Sequence, residues 1–175
     1  MDYKKIFLNE ITDEGLTLNV TLAKEEFELQ VDNNRIADGL SFKGILQRIS
    51  GQYILSGELQ SVWIASCDRC LEEFHLPVKT QVLLRYVDSS KAPSGSTYTS
   101  NNPVDEPDEI VEEYIDMYKV FTEQLILQIP MKALCSDSCK GLCSNCGQDL
   151  NKKECGCDRR VVDPRLSKLK NYFKK

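Results

Sequence analysis

The sequence predicts an α+β fold: a mainly antiparallel, barrel-like sheet with few helices, followed by a small cysteine-rich module. Three observations predict it. Strand patterning dominates the first 90 residues, helical spacing is confined to short stretches such as residues 118–128, and six of the eight cysteines fall after residue 130. Apolar residues that alternate with polar ones fit a half-buried strand, whereas recurrence every three to four residues fits one face of a helix.

Each element follows from that pattern. Leu16–Leu22 alternates cleanly, and Leu40–Ile49 mixes apolar and polar positions before a break at Gly51. A long pair, Tyr53–Ala65 and Phe74–Val87, is rich in β-branched and aromatic residues, and the short link between them holds Cys67 and Cys70. An antiparallel pair with two cysteines at its tip is the local picture. Residues 88–107 are rich in Ser, Pro and Asn, which predicts a disorder-prone loop. The acidic segment Asp105–Asp116 interleaves Ile110, Val111, Tyr114 and Ile115 with its carboxylates, which predicts a solvated strand or helix face rather than a paired-carboxylate site. Phe121, Leu125 and Ile129 then mark one side of a helix from Tyr118 to Gln128, ended by Pro130. Near the C-terminus, Asp163-Pro164 has the form of a helix start, and Leu166, Leu169 and Phe173 make an apolar stripe among Arg165, Lys168, Lys170, Lys174 and Lys175. The expected organisation is a mainly β domain over residues 1–130 and a cysteine-rich module with a basic helix over residues 131–175.

A chain of 175 residues, 41% apolar and 28% charged, accommodates one ordinary domain and an appendage. No apolar run reaches the roughly 20 residues needed to span a bilayer. The start, MDYKKIFLNE, lacks the apolar stretch of a secretion signal, which predicts a cytoplasmic location and no membrane partner. The net charge of −5 is unevenly spread: residues 1–130 hold 11 basic and 22 acidic side chains, residues 131–175 hold 11 basic and 5 acidic. A basic tail on an acidic body suits an anionic partner such as RNA, or docking of the tail on its own body.

The cysteines carry the chemical signal. Cys67, Cys70, Cys135, Cys139, Cys143, Cys146, Cys155 and Cys157 all lie in close pairs or clusters. Two cysteines separated by two residues can both face one ion at about 2.3 Å, and Cys67-Asp-Arg-Cys70 and Cys143-Ser-Asn-Cys146-Gly147 have that form. In a reducing compartment such spacings indicate metal in preference to disulfides, so Zn²⁺ is the expected cofactor, as one ion or two. One partition sets Cys143, Cys146, Cys155 and Cys157 around one ion and leaves Cys67, Cys70, Cys135 and Cys139 for another. A rival joins the two knuckles, Cys67, Cys70, Cys143 and Cys146. A catalytic zinc needs an open position beside His or carboxylate ligands, and His75 stands alone in a probable strand. Phosphate-cradling glycine loops and the nucleophile elbow are also missing, so no catalytic residue and no enzyme class is indicated.

The tip motif CDRCLEEF, the run PMKALCSDSCKGLCSNCGQDLNKKECGC and the ending DPRLSKLK together resemble the YceD family, described as large ribosomal RNA subunit accumulation proteins. The resemblance runs from about Gly39 to the C-terminus. It implies a role in large-subunit ribosomal RNA accumulation in a bacterial cytoplasm, without an assigned catalytic activity. Arg69 becomes the residue best placed to meet a phosphate or an acidic partner. The expected function is a non-enzymatic zinc-binding accessory factor in ribosome biogenesis that binds precursor ribosomal RNA or a ribosomal protein. The alternative is a thiol-based redox sensor that releases zinc on oxidation.

Overall fold

The computed structural model describes residues 4–89 and 109–158. Most of the expected loop 88–107 and all of the basic helix expected from Asp163 lie outside those residues. The chain divides into two compact units, Met1–Ala65 with Phe74–Met131, and Ser66–Glu73 with Lys132–Lys175. The tip between the two long strands thus belongs with the cysteine-rich segment.

In the first unit, β1 (Lys5–Phe7) and a 3-10 turn (Leu8–Glu10) precede β2 (Leu16–Leu22), β3 (Gln30–Val31), β4 (Asn34–Ile49), β5 (Gln52–Ser66) and β6 (Glu73–Asp88). After these come β7 (Glu109–Val111), β8 (Tyr114–Asp116) and the helix α1 (Met117–Ile126). The main sheet runs β2-β4-β5-β6-β7, with β3 also on β4, while β1 and β8 form a separate antiparallel pair. Pairing is antiparallel for β2, β3 and β5 on β4 and parallel for β7 on β6. β5 and β6 are neighbours joined through residues 67–72, a link too short for a parallel crossover, so they are antiparallel as well. The α+β class and the mainly antiparallel sheet agree with the sequence. The sheet does not close into a barrel: β2 and β7 end the strand order, and neither pairs with the other.

β4 begins at Asn34, six residues before the expected Leu40, and its register with β5 carries an irregularity between Ile36 and Leu40. Ser50 and Gly51, both at positive φ, make the two-residue turn into β5. Alternation then buries Phe42 and Leu46 on β4 and Tyr53, Leu55, Leu59 and Trp63 on β5. The helix forms where the 3.6-residue pattern begins, with Asp116 as N-cap, its Oδ1 accepting the Lys119 amide at 3.1 Å. It buries Met117, Val120, Phe121 and Leu125, each contributing about 1.5–3 kcal/mol. The Phe121 ring meets that of Phe42 at 5.4 Å. The helix stops at Ile126, short of Pro130, and Gln128 and Ile129 continue as hydrogen-bonded turns. The carboxylate of Asp116 therefore caps a helix, a structural use within the acidic segment.

The described part of the second unit contains no helix or strand longer than the ends of β5 and β6, and one isolated bridge, Leu142 to Asp149. All residues of the main hydrophobic cluster belong to the first unit. Among the described residues of the second, the buried apolar side chains are Cys67, Cys70, Cys139, Cys143, Ala133 and Leu150. Apolar burial this sparse is, in small domains, commonly offset by a disulfide framework or a metal.

Candidate metal centre

The second unit is built on two knuckles with the same hydrogen bonds. In Cys67-Asp68-Arg69-Cys70-Leu71 the Leu71 amide donates to the Cys67 carbonyl at 2.8 Å, and the Cys67 amide donates to the Glu72 carbonyl at 2.9 Å. In Cys143-Ser144-Asn145-Cys146-Gly147 the Gly147 amide donates to the Cys143 carbonyl at 2.9 Å, and the Cys143 amide donates to the Gln148 carbonyl at 2.8 Å. Both turns need a left-handed residue after the second cysteine. Gly147, at φ 72, meets that need without a Cβ penalty, whereas Leu71 takes φ 62 and leaves its side chain 68% exposed.

Each knuckle meets a second cysteine pair. The sulfurs of Cys67, Cys70, Cys135 and Cys139 all lie within 4.8 Å of one another, and so do those of Cys143, Cys146, Cys155 and Cys157. The thiols therefore gather as in the first of the two partitions, and Cys67 and Cys70 stand in a different group from Cys143 and Cys146. Cys67 and Cys139 place their sulfurs 3.8 Å apart, and Cys70 and Cys135 3.7 Å apart. Four sulfurs at 2.3 Å from a tetrahedral ion are separated by about 3.8 Å. The spacing fits a tetrathiolate ion, and none of the eight cysteines is in a disulfide.

The side chains between Cys67 and Cys70 tie the first tetrad together across the chain. Asp68 Oδ2 accepts the Ala133 amide at 2.6 Å, and Arg69 Nη1 donates to the Cys139 and Asp137 carbonyls at 2.8 and 3.3 Å. This Nη1 of Arg69, the residue expected to face a phosphate, is thus engaged by the backbone around the first tetrad. Gly141 packs so closely that a Cβ there would sit 2.8 Å from the Arg69 carbonyl oxygen. Asn151 reaches Cys139 Sγ at 3.4 Å. Sequence reasoning missed Asp68, Gly141 and Asn151, since nothing local marks their long-range partners.

The environment also sorts the thiols. Burial works against the charged form of Cys67, but the backbone amides of Cys135, Arg69 and Cys70 more than offset it and bring the thiol down to about 6. The Glu72 amide favours a charged Cys70, yet burial and the thiols of Cys67, Cys135 and Cys139 push it up to about 12. In the second tetrad the amides of Asn145 and Cys146, helped by Cys155, bring Cys143 down to about 6, while the thiols of Cys146 and Cys155, with burial, push Cys157 up to about 12. Cys67 and Cys143 therefore form thiolates readily, whereas Cys70 and Cys157 resist the charge until a cation joins them. Cys67, Cys70, Cys139 and Cys143 are buried, Cys155 and Cys157 are half-buried, and Cys135 and Cys146 are exposed. His75 is exposed on β6 and belongs to neither group.

The fold and these groups define a mainly antiparallel β protein that carries two cysteine tetrads, each able to hold a metal ion. The family model described as large ribosomal RNA subunit accumulation protein YceD matches residues 55–173, a span that includes both tetrads, and the chain belongs to that family. It is 27% identical over 124 residues to an uncharacterized protein of Mycobacterium tuberculosis, covering 71% of this chain and 57% of the relative. It is 38% identical over 65 residues to the chloroplastic large ribosomal RNA subunit accumulation protein YCED homolog 1 of Arabidopsis thaliana, covering 37% of this chain and 20% of the relative. The Zea mays homolog of the same description is 41% identical over 64 residues, covering 36% and 22%. The chain thus spans less than two thirds of the length of the curated relatives it matches. No solved structure matches it. No helix among the described residues is long and apolar enough to cross a membrane.

Proposed function

We propose that this protein supports the accumulation of large-subunit ribosomal RNA as a non-catalytic, cytoplasmic accessory factor that binds precursor RNA or a ribosomal protein. The observation that carries this reading is the family match across residues 55–173. Charge agrees with it: the acidic residues 1–130 suit a basic ribosomal protein, and the basic residues 131–175 suit RNA. Zinc is the proposed ion at Cys67, Cys70, Cys135 and Cys139 and at Cys143, Cys146, Cys155 and Cys157, because four thiolates at tetrahedral spacing form a closed structural site. When bound, zinc supplies folding free energy to a unit with little apolar core.

Sedimentation of the tagged native protein through sucrose gradients of fresh lysate tests this at low and high salt. Migration with large-subunit precursors that is lost at high salt is the expected result, since phosphate contacts release counterions. A position at the top of the gradient in both salts rules out stable ribosome association. One observation favours a second reading, a thiol sensor that releases zinc on oxidation: Cys146 is exposed and Cys155 and Cys157 are half-buried. Thiols that resist alkylation in the native protein count against it.

A further inference from the structure

Asn151 lies in the loop between Cys146 and Cys155, so the second tetrad closes the segment that carries it. Its side chain serves the first tetrad. Nδ2 donates to Cys139 Sγ at 3.4 Å, and Oδ1 accepts the Lys140 amide at 2.7 Å. The loop itself fixes this pose: Asp149 Oδ1 accepts both the Asn151 amide and Nδ2, each at 2.9 Å. Two more contacts run from the loop toward the first site. The Leu150 amide donates to the Gly141 carbonyl at 2.9 Å, and Lys152 pairs with Glu72, two residues beyond Cys70.

A thiolate bound to an ion keeps excess charge, and an N–H aimed at the sulfur stabilises that charge and fixes its direction. Two members of the second tetrad, Cys146 and Cys155, flank the loop, and the loop supplies part of the surroundings of Cys139. We propose that the 147–154 loop couples the two metal sites, with Asn151 as the positioning residue that carries the coupling to Cys139. The inference rests on the zinc reading above and adds that the two sites fill cooperatively. Linkage makes the effect mutual: an ion in the first site holds the loop for the second.

Cobalt(II) titration of the full metal-free chain tests this, because thiolate-to-cobalt charge-transfer absorption reports each tetrathiolate. One variant, Cys155→Ser with Cys157→Ser, leaves the first site; another, Cys67→Ser with Cys70→Ser, leaves the second. The parent's overall constant for two ions should exceed the product of the two single-site constants by roughly 5–150-fold. Asn151→Asp keeps the acceptor for Lys140, removes the donor to sulfur, and should abolish most of that excess. Should a paired-serine variant fail to fold, comparison of stepwise constants with the parent's decides for Asn151→Asp, which retains all eight thiols. It should lower the overall constant roughly 10–100-fold and move part of the charge-transfer band to lower energy. Independent sites, or an Asn151→Asp titration and spectrum identical to the parent, overturn the coupling while leaving the zinc reading intact. A parent without tetrathiolate absorption overturns both.

Discussion

Asp68 and Ala133 are joined twice: the Ala133 amide donates to Asp68 Oδ2 at 2.6 Å, and the Asp68 amide donates to the Ala133 carbonyl at 2.9 Å. The pair fastens the segment that leads to Cys135 and Cys139 onto the Cys67 knuckle. Asp68→Ala should therefore destabilise the second unit by about 1.5 kcal/mol, the lower end for hydrogen bonds to a charged group, because Asp68 is exposed. Asp68→Asn keeps an acceptor and should lose less. Denaturant unfolding of the zinc-loaded protein checks the order of the three, and equal stability of Asp68→Ala and parent would show the clamp to be dispensable.

The two knuckles predict opposite effects of glycine. Gly147→Ala should cost about 1 kcal/mol, because a Cβ is disfavoured at φ 72 even though nothing lies within 4 Å of it. Leu71→Gly relaxes the same backbone and removes an exposed side chain, so it should be neutral or stabilising by up to about 1 kcal/mol. Paired melting curves decide this. A clear loss of stability in Leu71→Gly would mean that its side chain contributes more than its exposure indicates.

Metal removal should act on one unit. The main apolar cluster lies wholly in the first unit, so a strong chelator should leave the β2-β4-β5-β6-β7 sheet protected from hydrogen exchange while residues 132–158 lose protection. Cys143→Ser should reproduce the loss around the second tetrad. Unchanged protection of residues 132–158 after complete metal removal would rule out a structural role for the ion.

Acidification should release the metal. The backbone amides around Cys67 and Cys143 lower their thiols from the ordinary 9.0 to about 6. A lowered thiol favours the charged, ion-binding form above that value and loses it as pH falls through about 6. Cys70 and Cys157, pushed up to about 12, give up their protons to the cation, so apparent affinity should fall steeply as pH falls. Competition with a chromophoric chelator across this range measures it, and a flat profile would be incompatible with thiolate ligation.

Alkylation of the metal-loaded protein should begin at Cys135 and Cys146, the exposed thiols, and reach the buried Cys70 last. Peptide mass mapping over time gives the order. Early modification of Cys70 would mean that the first tetrad opens even with its ion bound.

The sequence by itself determined the elements whose signals are local. β2 follows from alternation, α1 from helical spacing and both knuckles from C-x-x-C spacing, because each depends on residues within one turn or one strand. It also resolved the family, since motifs survive without knowledge of contacts. Tertiary pairing carried β4 further than the local pattern did: the strand reaches back to Asn34 through its long register with β5. Which cysteines gather into each tetrad is visible in the fold alone. The choice between two partitions rested on bonds such as Asp68 to Ala133 and Arg69 to Cys139, whose partners lie 65 and 70 residues apart, and spacing carries no information about them. The same holds for Asn151 on Cys139 and for the open edges of the sheet: periodicity tells a side chain which face it takes, but the fold tells it what it meets there.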